Sequence, residues 1–258
     1  MGTSTWHRSP ETEAWKRVRE LYAQPDPSPR EVVARIVAAL EPETRGGMSD
    51  AASATSLGTL VEGVRSVELT GLPGALTALG AGAEPAALQW AAGLRARAER
   101  TIAAEGYASR FGDLALDAVG NSAIAVATRS TTGAGVISLP LAEAEASITR
   151  LGRERGLQEA MALFVGHHLD RTFRYLVARD LGDFIGGAGL PSVSHANRFE
   201  DAVAAHCRAT WEQLRLDRFE ADLGAVPELA PRDRVAMLSP ILAAGIGQGL
   251  DLLGAGGL

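Results

Sequence analysis

Two stretches of this chain carry so clear a helical period that they decide the class of fold it can adopt. In the first, Leu157 to about Ile185, a 100° wheel gathers Leu157, Met161, Phe164, Val165, His168, Thr172, Tyr175 and Leu176 on one face. Gly186 and Gly187 close the pattern. In the second, Asn197 to about Leu223, the matching face holds Phe199, Val203, His206, Cys207, Thr210 and Leu214. Asn197 and Glu200 there have the spacing of a capping box. The segment GGAGLPSVSHA between the two suits an antiparallel turn. The expectation is an all-α protein: a multi-helix bundle centred on this long hairpin over 157–223, with a small helical appendage at the N-terminus.

Composition points the same way. Aromatic residues make up 5% of the 258 residues while alanine and glycine abound, which favours helices meeting at short distance over an aromatic-rich sheet. Helices are expected from about Glu11 to the cluster Pro25, Pro27 and Pro29, then from Pro29 to Leu40 behind a Ser28 cap. Two short helices separated by a turn fill 57–80, where Gly71 and Pro73 interrupt the pattern. Further helices are read from Glu84-Pro85 to Glu105, over 112–128, and from Pro140. Val136 to Leu139 is the best strand pattern, but it has nothing to pair with and reads as an extended lead-in. The polar, small-residue run EPETRGGMSDAASATS at 41–56 reads as a linker. This divides the chain into an appendage at 1–48 and a main helical domain at 49–258.

The charged residues exclude several chemistries. Of the 25 basic residues only Lys16 is a lysine, and it sits in the helical stretch EAWKRVRE with no glycine loop before it. Phosphate-loop, Schiff-base and serine–lysine mechanisms therefore lack their central residue. The arginine excess matches the codon bias of a GC-rich genome. A net charge of −6 argues against general nucleic-acid binding. The single Cys207 rules out an intramolecular disulfide and a multi-cysteine zinc site, and together with an N-terminus lacking an apolar core it suggests a cytoplasmic location.

Candidate chemistry concentrates on the two long helices, each of which turns one histidine toward the other. His168 and His206, with Cys207 or Asp183 nearby, form the candidate catalytic pair or the ligands of one divalent metal ion. Cys207 as a nucleophile would need His168 or His195 as its base. Thr172, Arg179 and Asp183 continue the polar ribbon as candidate ligand-binding residues, and Arg179 and Asp183 have the i,i+4 spacing of an ion pair. Against this stands the commoner arrangement in which such histidines satisfy polar groups of a helical core. Arg171 and Arg174 beside His167 offer a place for an anion.

Residues 235–250 form an uncharged run interrupted by Pro240, Gly245, Gly247 and Gly249, too short to span a bilayer comfortably. Its small residues suit close contact with another helix. The expected function is that of a cytosolic bacterial interaction or scaffold protein, with no cofactor, acting in a homo-oligomer or multi-protein assembly. The alternatives are a metal-binding protein or enzyme using His168 and His206, and an effector whose 235–250 segment touches membranes.

Overall fold

The computed structural model describes residues 11–129, 139–152 and 156–255. These residues are mostly helical, with no strand among them beyond one isolated bridge between Ile185 and Leu190. The helices are α1 (Glu13–Ala23), α2 (Pro29–Ala39), α3 (Pro42–Gly47), α4 (Ala51–Leu79), α5 (Ala86–Glu105), α6 (Arg110–Thr128), α7 (Leu141–Arg150), α8 (Leu157–Leu181), α9 (Val193–Ala209), α10 (Glu220–Ala225) and α11 (Pro231–Ala255). The all-α class expected from the periodicity is the class observed.

Two helices occupy the middle of the bundle. Every residue of α4 from Ala52 to Val61 is buried, and α8 buries residues on all sides, leaving only Ala178 exposed. A helix covered all round is a core helix. Small side chains explain how α4 achieves this. A Cβ placed at Gly63 would stand 2.6 Å from Leu94 of α5, so only glycine lets these axes come so close. Its two buried threonine hydroxyls turn back on their own helix: Thr55 Oγ1 donates to the Ala51 carbonyl at 2.7 Å and Thr59 Oγ1 to that of Thr55 at 2.9 Å.

That packing corrects the expected linker at 41–56. Met48 is fully buried, Asp50 caps α4 by accepting from Ser53 N at 2.9 Å, and α4 already begins at Ala51. Small polar residues are the signature of close helix contact here, where they were expected to mark a hinge. Trp15, Val18, Val32 and Ile36 of the expected appendage belong to the same apolar cluster as Leu242 and Leu253.

The α4 kink falls where the sequence placed a turn: Gly71 adopts φ +71° and ψ 166°, and Pro73 follows. Of the strand pattern Val136–Leu139, residues 136–138 lie outside the described residues. Leu139 is buried in non-helical backbone, and Pro140 caps α7.

The second long helix is shorter than expected. It is α9, it starts at Val193 behind a Ser192 cap and ends at Ala209, and Asn197 lies inside it. Thr210 Oγ1 donates to the Cys207 carbonyl at 2.7 Å, which draws the chain into a 3-10 turn over Thr210–Gln213. Leu214 and Leu216 are then both buried two positions apart, a spacing one helix face cannot supply. α8 and α9 run antiparallel, as the pairs Asp170–Arg208 and Arg174–Asp201 require.

Among the described residues α11 alone is long and apolar enough to cross a membrane. Its large apolar side chains nevertheless face inward. Leu238, Ile241, Leu242, Ile246, Leu250 and Leu253 are buried against α2, α4 and α8, and the exposed positions are residues such as Ala236, Pro240 and Ala243.

Candidate functional site

The two histidines singled out by the sequence are directed at different neighbours. His168 is fully buried, stacks on Phe164, and donates from Nε2 to the Met48 carbonyl at 2.9 Å. Burial, only partly opposed by that hydrogen bond and by the charge of Asp50, lowers its pKa to about 4, so the ring is neutral. His206 is half-buried beside Arg30, and burial together with that arginine lowers its pKa. Among the described residues no three His, Cys, Asp or Glu side chains gather as a metal-binding group.

The remaining candidates are also dispersed. Cys207 is fully buried, and burial followed by the charge of Asp170 pushes its thiol far up, away from the thiolate a nucleophile needs. His195 is exposed, with Nδ1 2.8 Å from Ser192 Oγ. Thr172 is fully buried and its hydroxyl has no hydrogen-bond partner.

The expected Arg179–Asp183 ion pair does not form. α8 ends at Leu181, the turn Gly182–Phe184 tightens to 3-10 geometry, and Asp183 instead meets Arg19 of α1 at 3.3 Å. Arg179 lies 4.7 Å above the ring of Trp15 and 3.6 Å from Asp180.

The residues that do line an open concavity are others. A cleft of about 470 Å³ lies between α6, α8 and α9, lined by Leu163 and His167 of α8, Ala205, Arg208 and Ala209 of α9, and Ala125 of α6. Arg129, just past the end of α6, and Glu212 complete the lining. Burial outweighs the opposing pull of Asp170 and lowers the His167 pKa to about 4, leaving a neutral imidazole whose Nδ1 is buried without a partner. Arg129 pairs with Glu159.

Arg208 Nη1 reaches the buried Asp170 at 2.9 Å, and Asp170 also accepts from Arg174 Nε at 3.1 Å. This shared carboxylate locks α8 to α9 and fixes Arg208 at the cleft wall. The i,i+4 spacing of Asp170 and Arg174 was visible in the sequence, but the partner from α9 was not. Arg208 and Arg129 line the cleft with His167, while Arg171 acts on that ring through its charge and Arg174 is engaged by Asp170 and Asp201.

No known protein family matches this chain, and neither a curated protein nor a solved structure is similar to it.

Proposed function

We propose that this protein acts by binding, and that the cleft between α6, α8 and α9 seats a small organic molecule. The observation that carries this reading is the makeup of the cleft. Its volume of about 470 Å³ suits a small-molecule site, and its lining combines alanine and leucine with the polar side chains of His167, Arg208, Arg129 and Glu212. His167 lines the cleft as a neutral imidazole, which adds a polar, uncharged ring to its wall. His168 and Cys207 are committed to the core, which favours binding over the catalytic alternative.

Saturation-transfer NMR with a fragment set of aromatic and aliphatic acids and amides tests the proposal. Ala205 and Ala209 are exposed, so Ala205→Trp fills the cleft without entering the core. Fragments that bind the wild type are expected to be lost on Ala205→Trp and kept on Ala178→Trp, an exposed position of α8 outside the cleft. A set in which no fragment distinguishes the two variants overturns the reading.

Self-assembly is a second reading, favoured by Ile185 and Val193. Both are exposed large apolar residues flanking the α8–α9 connection, beside a hollow lined by Pro27, Leu190 and Phe199. A second copy of the chain is the proposed occupant. Size-exclusion chromatography with light scattering should give a dimer or larger species for the wild type and a monomer for Ile185→Asp/Val193→Asp. A wild-type monomer at every concentration removes this reading.

A further inference from the structure

A second cavity, of about 160 Å³, lies where α4 and α5 meet the start of α11, and it shares no lining residue with the cleft above. Glu62 of α4 is its one lining acid among the described residues, and arginines from two other helices converge on it. Arg97 Nη2 of α5 is 3.1 Å from Oε2, and Arg234 Nη1 of α11 is 2.5 Å from Oε1. The wall therefore carries one more positive charge than negative. Arg234 Nη2 donates to the Leu229 carbonyl at 2.9 Å, so this guanidinium is anchored to the backbone at the start of α11 as well as to Glu62. Thr55, Thr59 and Thr101 spend their hydroxyl protons on helix carbonyls, so only oxygen lone pairs remain for anything entering the cavity. Tyr107 closes the wall with a phenol.

We propose that this cavity binds a small oxyanion that carries its own hydroxyl group. The surplus guanidinium charge of Arg97 and Arg234 meets the anionic oxygens, for which arginine is the favoured partner. The threonine lone pairs accept from the ligand hydroxyl. α11 starts at the cavity wall with Pro231, so the positive end of its dipole adds to the attraction. A volume of about 160 Å³ corresponds to about five waters at roughly 30 Å³ each, room for a short hydroxy acid or inorganic phosphate.

The test is isothermal titration calorimetry of the full chain, at fixed ionic strength, with inorganic phosphate, glycolate and acetate. Saturable one-site binding is expected for phosphate or glycolate, and which of them binds more tightly identifies an inorganic or an organic source. Acetate, which lacks the hydroxyl, is expected to bind about fivefold more weakly or worse. Arg97→Gln should weaken binding about tenfold or more, by removing a charge-assisted contact. Arg95→Gln, on the same helix but paired with Asp117, should bind as the wild type does. Both arginines are exposed and Glu62 keeps Arg234 as a partner, so circular dichroism of either variant should match the wild type. Absence of saturation with all three anions, acetate equal to glycolate, or equal losses in the two variants overturns the proposal.

Discussion

His167 and His168 are adjacent in the chain and stand in different surroundings, one on a cleft wall and one in the core, yet burial lowers both to a pKa of about 4. In the native state both rings stay neutral, whereas in the unfolded chain each takes up a proton near its usual value of about 6.5. Between about pH 6.5 and about pH 4 the unfolded state therefore binds more protons, and stability falls as the pH falls through this window. Above pH 7 the two histidines add no slope. Each is expected to remove on the order of 2–3 kcal/mol by pH 4. Urea unfolding at a series of pH values should show this decline, and His168→Gln should remove part of it while keeping a donor for the Met48 carbonyl. His168→Phe leaves that carbonyl unsatisfied and should cost about 1–3 kcal/mol at pH 7.5. A pH profile unchanged by His168→Gln would mean that the ring takes up its proton in the native state as readily as in the unfolded chain.

Among the elements, two helix starts are held by carboxylates from far along the chain. α8 follows Gly156, which has no side chain to cap it, and Glu220 of α10 supplies both acceptors: Oε1 takes the Leu157 N–H at 3.0 Å and Oε2 the Gln158 N–H at 2.9 Å. At the α4 kink, Glu145 of α7 takes the Leu72 N–H at 3.0 Å. Glu220→Ala should therefore destabilise the protein by about 1–2 kcal/mol, with Glu220→Gln losing less because one oxygen still accepts. Denaturant midpoints of the two variants check the order, and an unperturbed Glu220→Ala would show that water serves the α8 start as well. The breaks themselves were legible, because Gly71, Pro73, Pro85 and Pro140 act locally on the backbone that contains them. Which side chain completes each break was not, since Glu220 and Leu157 are 63 residues apart. The end of α9 was misread for a related reason: the inward turn of Leu214 and Leu216 is imposed by the core they fill.

For the molecule as a whole, period and composition disclosed the helical class, while the meaning of the small residues depended on the packing. The same alanines, serines and glycines that suggested a hinge at 41–56 allow α4 to be covered on every side, and no local signal separates those outcomes. The cleft stayed hidden because its lining comes from α6, α8 and α9, and His167 lay off the face that the wheel assigned to the partner helix. The C-terminal segment tests the role of the small residues most directly. If α11 were a detachable contact or membrane segment, removing residues 235–258 would leave the unfolding of the rest unchanged. Its packing against α2, α4 and α8 predicts the opposite: the truncated chain should lose its cooperative urea transition, because buried faces of both central helices become exposed. Point variants separate packing from simple loss of chain. Leu242→Ala removes a fully buried side chain and should cost about 2–5 kcal/mol. A Cβ at Gly249 would stand 2.6 Å from Leu169 of α8, so Gly249→Leu should cost about 1–3 kcal/mol through overpacking. Ala243→Ser, on the exposed face of the same helix, should stay within about 0.5 kcal/mol of the wild type. Equal midpoints for Gly249→Leu and Ala243→Ser would place the small-residue face of α11 outside the core and return it to the role of a contact surface.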